Sequence, residues 1–372
     1  MNPFIKIAVP GVQSLQPYQP GKPIEELERE LGIRDSIKLA SNENPLGPSP
    51  LALAAAQKAL QNMHLYPDGG GHELRQALAK KHRVDANQIT LGNGSNDVLE
   101  LVARAFLAPC NAALYSEYAF AVYPIVTQAI GAEHRVAAAL PLDHAGMPYG
   151  HDLNAFKDRL DEAVRVIFIA NPNNPTGTWL NNAELEQFIA EVPEDVIVVL
   201  DEAYYEYMPD DLKPDTDRWL QTFPNLVVTR TFSKIYGLAG LRVGYAVSHP
   251  QVADLLNRVR QPFNCNLIAQ AAALAALGDE EHIVRSVGVN SMGLSQLTTG
   301  FDHLGLSYMP SIGNFLCVDV QRDANKVYQA LLCEGVIVRP VGGYKLPEHL
   351  RITVGNEQQN ARVLNALGKV LG

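Results

Sequence analysis

The sequence predicts an α/β protein: a mostly parallel sheet between helix layers, followed by a smaller α+β lobe. Three observations carry this. The chain has 372 residues, more than one compact core usually needs, so two lobes are expected. Its middle alternates short β-branched runs with amphipathic stretches, the rhythm of a βα-repeating sheet. Several of those runs are apolar on both faces, as strands buried between helices must be.

In chain order, strands are expected at 89–91, 112–115, 166–170, 196–200, 226–229 and 243–247. Helices are expected at 96–106, 183–191 and 250–259. After Asn266 the texture changes. Helical stretches at 267–277 and 280–297 lead to an apolar run at 315–320, a helix near 325–333, strands at 336–339 and 350–354, and a closing helix from Glu357. The reading divides the chain into an N-terminal segment (1–40) packing on the small lobe, a large lobe (41–265), and connecting helices with the small lobe (266–372).

Composition narrows the function classes. Hydrophobic residues make up 47% and charged residues 19%, too apolar for a disordered chain. Thirty basic against 40 acidic residues give a formal charge of −10, which offers no general attraction to nucleic acid or anionic lipid. A local basic pocket for an anionic substrate stays compatible with that. The four cysteines (Cys110, Cys265, Cys317, Cys333) form no CxxC pair and no metal-ligand spacing with histidine, so reduced, packed thiols are expected. The N-terminus lacks a signal-peptide apolar core, and runs such as 164–170 are too short to span a bilayer. A cytoplasmic protein without a metal is the expectation.

Ligands of open α/β sheets bind beyond the carboxyl ends of the strands, so the residues after each strand matter most. After 89–91 comes Gly92-Asn93-Gly94-Ser95-Asn96 and then a helix, whose free N–H groups can meet a phosphate. Neither GxGxxG nor GxxxxGK[ST] occurs there, which sets a nucleotide site aside. After 166–170 comes Asn171-Pro172-Asn173-Asn174-Pro175-Thr176-Gly177, a turn-forming composition at a strand end. After 196–200 comes Asp201, an acid whose burial calls for a donor or cation; a protonated ring nitrogen would serve, and so would a helix cap. After 226–229 comes Arg230-Thr231-Phe232-Ser233-Lys234, with Arg242 eight residues on. Thr231, Ser233 and Arg242 can hold a phosphate, and lysine is the residue that forms Schiff bases with carbonyl cofactors.

The order Asn-Pro-Thr-Gly, Asp-x-x-Tyr, Ser-Lys, then Arg resembles the fold-type I, pyridoxal-phosphate (PLP) dependent aminotransferases of class I/II. The motifs Ser41-Asn42-Glu43-Asn44-Pro45-Leu46-Gly47-Pro48, Tyr66-Pro67-Asp68-Gly69, Val338-Arg339-Pro340 and Leu350-Arg351-Ile352-Thr353-Val354-Gly355 are similar to the histidinol-phosphate aminotransferase family. The resemblance covers essentially the whole chain. It implies a seven-stranded sheet and pyridoxal 5′-phosphate as cofactor. It implies that Lys234 carries the cofactor, Asp201 holds the pyridine nitrogen protonated, Asn174 and Tyr204 bond its ring oxygen, and Tyr118 stacks on the ring. The phosphate would meet Gly94, Ser95, Asn96, Thr231, Ser233 and Arg242, with Tyr66 reaching the neighbouring subunit of a homodimer. Arg351, Arg339, Tyr18 and Asn44 would bind substrate.

The implied reaction is transamination between L-histidinol phosphate and 2-oxoglutarate, giving imidazole-acetol phosphate and glutamate, a step of histidine biosynthesis. Lys234 would move the proton, which requires its amine to sit below the usual ~10.4. A guanidinium forks onto carboxylate or phosphate alike, so Arg351 can serve both substrates. Two other PLP enzymes share these motifs: aromatic-amino-acid aminotransferases and threonine-phosphate decarboxylases. A binding protein that kept the fold and lost catalysis is a third reading, opposed by the competent residue at every reactive position.

Overall fold

The structure is a computed structural model, and it describes residues 3–372. Strand β1 (Ile37–Lys38) precedes a seven-stranded sheet made of β2 (Ile89–Gly92), β3 (Ala112–Ser116), β4 (Glu133–Ala137), β5 (Val164–Ala170), β6 (Ile197–Asp201), β7 (Leu226–Thr231) and β8 (Gly244–Ser248). Their spatial order is β2-β8-β7-β6-β5-β3-β4. Pairings from β7 through β6, β5 and β3 to β4 are parallel, and only β8 runs against its two neighbours.

Alternation along these strands builds two cores, one on each face. Ile167, Ile169, Val198, Leu200 and Val228 belong to one apolar cluster. Val166, Phe168, Ala170, Val199 and Val227 belong to the other. Successive side chains of a strand point to opposite faces, so a run such as Val-Ile-Phe-Ile-Ala must be apolar throughout to feed both. Each fully buried aliphatic chain of this kind contributes roughly 1.5–3 kcal/mol.

The second sheet is antiparallel: β9 (Phe315–Asp319), then β10 (Val336–Ile337) outside it, β11 (Arg339–Pro340) and β12 (His349–Thr353), in the order β11-β12-β9. It has its own core, including Leu316, Val318, Leu350 and Ile352. β1 pairs parallel with β10, and Leu27 packs with Leu332 and Ile337, so residues 24–40 sit on this sheet. The earlier turn Pro10–Gln13 lies instead against helix Val122–Ile130 of the large sheet, where Gln128 bonds Ser14 at 3.1 Å.

The expected strands and helices are present, with shifted ends. β4 is the one strand of the large sheet that the sequence reading did not find. It is an edge strand of sequence EHRVA with Ala137 alone buried, so it carries no apolar run. The small-lobe run 336–339 divides into two short strands that pair with different partners.

Candidate active site

Register brings three strand ends level. Ala170 pairs with Asp201, Asp201 with Thr229, and Thr231 with Gly244. Beyond them lies a cavity whose walls include Lys234, Asp201, Tyr204, Asn174, Ser95, Asn96, Thr231, Ser233, Arg242, Arg351, Arg339 and Tyr18. Twelve of the expected site residues thus share one cavity, drawn from the ends of β2, β5, β6 and β7, the start of β8, strands β11 and β12, and the N-terminal segment.

Lys234 follows the end of β7. The turn is set by Thr231, whose hydroxyl accepts from the Ser233 amide at 3.1 Å, and by Gly237, whose amide donates to the Lys234 carbonyl at 3.0 Å. Gly237 has φ +67°, and a Cβ there would stand 2.2 Å from the Gly47 carbonyl oxygen. Glycine therefore lets the 41–48 segment close down beside the lysine. The Lys234 amine donates to the Ser41 carbonyl at 2.8 Å. Burial, followed by the repulsion of Arg351, Arg242 and Lys38, pulls its pKa down to about 7.

Asp201 ends β6 on the face that Val199 shares with Tyr123 and Phe168. Its carboxylate accepts from the Tyr123 hydroxyl at 2.8 Å and the Thr229 hydroxyl at 2.9 Å. Burial raises its pKa, against those two donors and the Lys234 charge. Tyr204 accepts from the Asn42 amide at 2.8 Å, and burial pushes its phenol up to about 12.

The cavity also carries three arginines. Arg351 donates to the Asn174 side-chain oxygen and the Ala40 carbonyl, both at 2.6 Å, and its Nε is buried without a partner. Arg339 sits under the Tyr18 ring, 5.2 Å from its centroid. Arg242 donates to the Ser233 hydroxyl at 3.1 Å, beside the start of helix Ser95–Phe106. Gly94 has φ +85°, and a Cβ on it would come within 2.4 Å of the Arg242 guanidinium, so that glycine admits the arginine to the helix end. Among the described residues none of Lys234, Arg242, Arg339 and Arg351 makes an ion pair. Four cations facing one carboxylate make this an anion-attracting cavity in an acidic chain.

Four expected residues lie elsewhere. Gly94 acts by backing Arg242 rather than by facing the cavity. Asn44 is committed: its amide donates to the Ile235 carbonyl at 2.7 Å and the Ser286 hydroxyl at 2.9 Å, and its oxygen accepts from the Leu46 amide at 3.0 Å. Asn42, two residues earlier, lines the cavity instead. Tyr118 points away; its ring packs against Met309, Cys317, Val341 and Leu346, and Phe120 occupies the wall. Tyr66 is 82% exposed and stacks on Phe263 at 4.8 Å, outside these walls.

The residue pattern alone missed Tyr123, Phe120 and Asn42. A signal for Tyr123 existed: it lies in the first turn of the helix that follows β3, two strands from β6 in the sheet. Among the described residues there is no cluster of His, Cys, Asp and Glu able to hold a metal ion, and no helix long and apolar enough to cross a membrane.

Residues 34–367 match the family model "Aminotransferase class I and II". A relative from Pseudomonas aeruginosa named histidinol-phosphate aminotransferase 2 is 58% identical, over 100% of this chain and 99% of its own length. One from Nitrosococcus oceani named histidinol-phosphate aminotransferase 1 is 55% identical, over 99% and 98%. The crystal structure of the Sinorhizobium meliloti histidinol-phosphate aminotransferase in complex with pyridoxal 5′-phosphate superposes with TM-score 0.89 at 28% identity, covering 98% of this chain and 97% of that one.

Proposed function

The chain belongs to the class I and II aminotransferases, among the histidinol-phosphate aminotransferases, and on that footing we propose that this cavity binds PLP at Lys234 and transfers the amino group of L-histidinol phosphate to 2-oxoglutarate. The observation that carries the site assignment is the charge arrangement: one buried carboxylate, one buried lysine poised near neutrality, and three arginines without anionic partners, all on one cavity.

The residues fit the cofactor. Asp201 has both oxygens tied only to neutral hydroxyls, which leaves its charge for a protonated ring nitrogen. Arg242, Ser233, Thr231 and the first amides of helix Ser95–Phe106 form a phosphate cradle. Phe120 supplies an aromatic wall. Tyr204, whose phenol stays protonated, would donate to the cofactor's ring oxygen, and Asn174 would offer it its amide nitrogen because its own oxygen is taken by Arg351. When bound, PLP supplies the electron sink that lets a Cα–H bond of the substrate break.

The chain's own part is binding and proton transfer. Near pH 7 the Lys234 amine exists in both protonation states, so it can take a proton from the substrate Cα as a base and, once protonated, give one up as an acid. Asp201, held by Tyr123 and Thr229, keeps its charge against the ring. Arg351 and Arg339 receive the substrate's anionic end, phosphate in one half-reaction and carboxylate in the other. Tyr18, lying over Arg339, covers the mouth.

Residues 41–265 would form the cofactor lobe, and 266–372 with residues 1–40 the rest of the substrate side. We infer a cytoplasmic homodimer with shared sites. Exposed Leu51, Leu53, Met63, Leu65 and Tyr66 support that contact, in which Tyr66 would reach a neighbour's phosphate cradle.

The test is a half-reaction screen of the PLP-loaded enzyme against histidinol phosphate, glutamate, tyrosine, phenylalanine and threonine phosphate. Histidinol phosphate and glutamate should discharge the lysine-linked absorbance fastest. Faster discharge by tyrosine or phenylalanine would favour an aromatic aminotransferase, and CO₂ release from threonine phosphate a decarboxylase.

A further inference from the structure

The segment that leaves β3 touches every part of the site. Glu117 pairs with Lys345 at 2.9 Å. The Tyr118 ring lies against Met309, Cys317, Val341 and Leu346, all on the second sheet's side of the molecule, and meets Tyr149 edge-on at 5.0 Å. Tyr149 in turn meets His349, the first residue of β12, at 5.9 Å. The Tyr118 carbonyl accepts from Asn173, beside Asn174, at 3.0 Å. Two residues on, Phe120 lines the cavity; five residues on, Tyr123 holds Asp201.

On the other side of this contact stand the two arginines. Cys317 pairs directly with Arg351 in the β9–β12 register, and Val341 follows the Arg339–Pro340 strand. The Tyr118 ring is thus one side chain removed from both anion-binding residues. The same segment carries, on its far end, the groups expected to face and charge the cofactor ring. Tyr344, on the turn between β11 and β12, packs on the same cluster.

We propose that Tyr118 is a positioning residue, a wedge that fixes the distance between the arginine-bearing strands and the Phe120–Asp201 wall and so sets how well a bound substrate's anion reaches the two guanidiniums. The inference deepens the transaminase reading and rests on it. The wedge acts through Arg339 and Arg351, not on the cofactor. Both substrates share those arginines, so both half-reactions feel it.

The experiment compares Tyr118→Leu, Tyr118→Phe and Phe120→Ala in single-turnover half-reactions of the PLP-loaded enzyme, with PLP affinity measured separately by absorbance titration. Tyr118→Leu should weaken apparent affinity for glutamate and for histidinol phosphate about tenfold, with maximal rate and PLP affinity within about twofold of wild type. Tyr118→Phe keeps the ring and should behave as wild type, whereas Phe120→Ala should lower PLP affinity. Loss of PLP affinity in Tyr118→Leu, or unchanged affinity for glutamate, overturns the proposal. If Tyr118→Leu does not fold, Tyr149→Leu removes the half-buried ring that meets Tyr118 edge-on: a rise of about threefold in apparent glutamate Kd supports the proposal, and no change overturns it. The glutamate arm separates the two readings. A wild type that turns over glutamate and ignores histidinol phosphate defeats the substrate assignment and leaves the wedge testable.

Discussion

Two neighbouring carboxylates at the end of β6, Asp201 as its last residue and Glu202 just after it, face opposite sides of the sheet, and the molecule treats them in opposite ways. Glu202 lies on the face of Leu200 and Trp219. Its Oε2 takes Arg230 Nε at 2.8 Å and a second guanidinium nitrogen at 2.7 Å, and that guanidinium is sandwiched against Tyr205, 3.6 Å from the ring centroid. Asp201, on the Val199 face, is just as buried and receives two hydroxyls and no cation. Desolvation acts on both: it pushes Glu202 up to about 7 and raises Asp201 as well. A buried charge with its counter-ion built in is structural. One supported only by neutral donors is held ready for a cation that arrives from outside.

Breaking that comparison starts with the residue beside Asp201. Lys234→Ala should cut transamination by at least about 10⁴-fold and remove the reducible, lysine-linked cofactor absorbance. A reducible chromophore linked to lysine in that variant would falsify the assignment.

Exchanging each acid for its amide separates the faces. Asp201→Asn keeps the shape and loses the charge, so turnover should fall about 10²- to 10³-fold while the denaturation midpoint holds or rises. Glu202→Gln strands Arg230 as an unpaired buried cation and should cost about 3–5 kcal/mol of stability, with turnover per folded molecule near wild type. Denaturant titrations beside turnover numbers decide it. A reversed pattern would put the functional acid on the wrong face.

Arg351→Ala tests the far wall. Apparent affinity should weaken roughly 10- to 100-fold for histidinol phosphate and for glutamate. If single-turnover assays show one half-reaction affected and the other intact, Arg351 does not serve both anions.

The smallest effect is a pH slope. In the cofactor-free protein Lys234 titrates at about 7 against an ordinary 10.5. Between those values the unfolded chain binds the extra proton, so stability should rise with pH from about 7 towards 10.5, by about 1 kcal/mol per pH unit. Lys234→Met should flatten that rise; identical slopes in the two proteins would show that the amine is not desolvated.

Much of the site was legible because its motifs are local. Asp201 and Lys234 each follow an apolar run, and strand ends are where an open sheet binds ligands. The proposed phosphate cradle is marked in the sequence by Gly94-Ser95 and Arg242. What misled were pairs of similar residues two apart. Asn42 and Asn44 read alike, yet Asn44 is consumed by bonds to Ile235 and Ser286 while Asn42 reaches Tyr204. Tyr118 and Phe120 are both plausible ring partners, and the loop turns the tyrosine into the gap between sheets. A strand's two-residue repeat would have placed each pair on one face; in a loop that repeat does not hold, and only backbone geometry decides.

By itself the sequence determined the strand rhythm, the anion-seeking chemistry and the lysine at the strand end, because apolar patterning and residue type are properties of short windows. The tertiary structure alone decided which acid at the end of β6 faces the cavity, that Tyr123 supports it, and that Arg339 and Arg351 share the cavity with Lys234. Those depend on register and on the packing of one sheet against another, which no short stretch of chain contains.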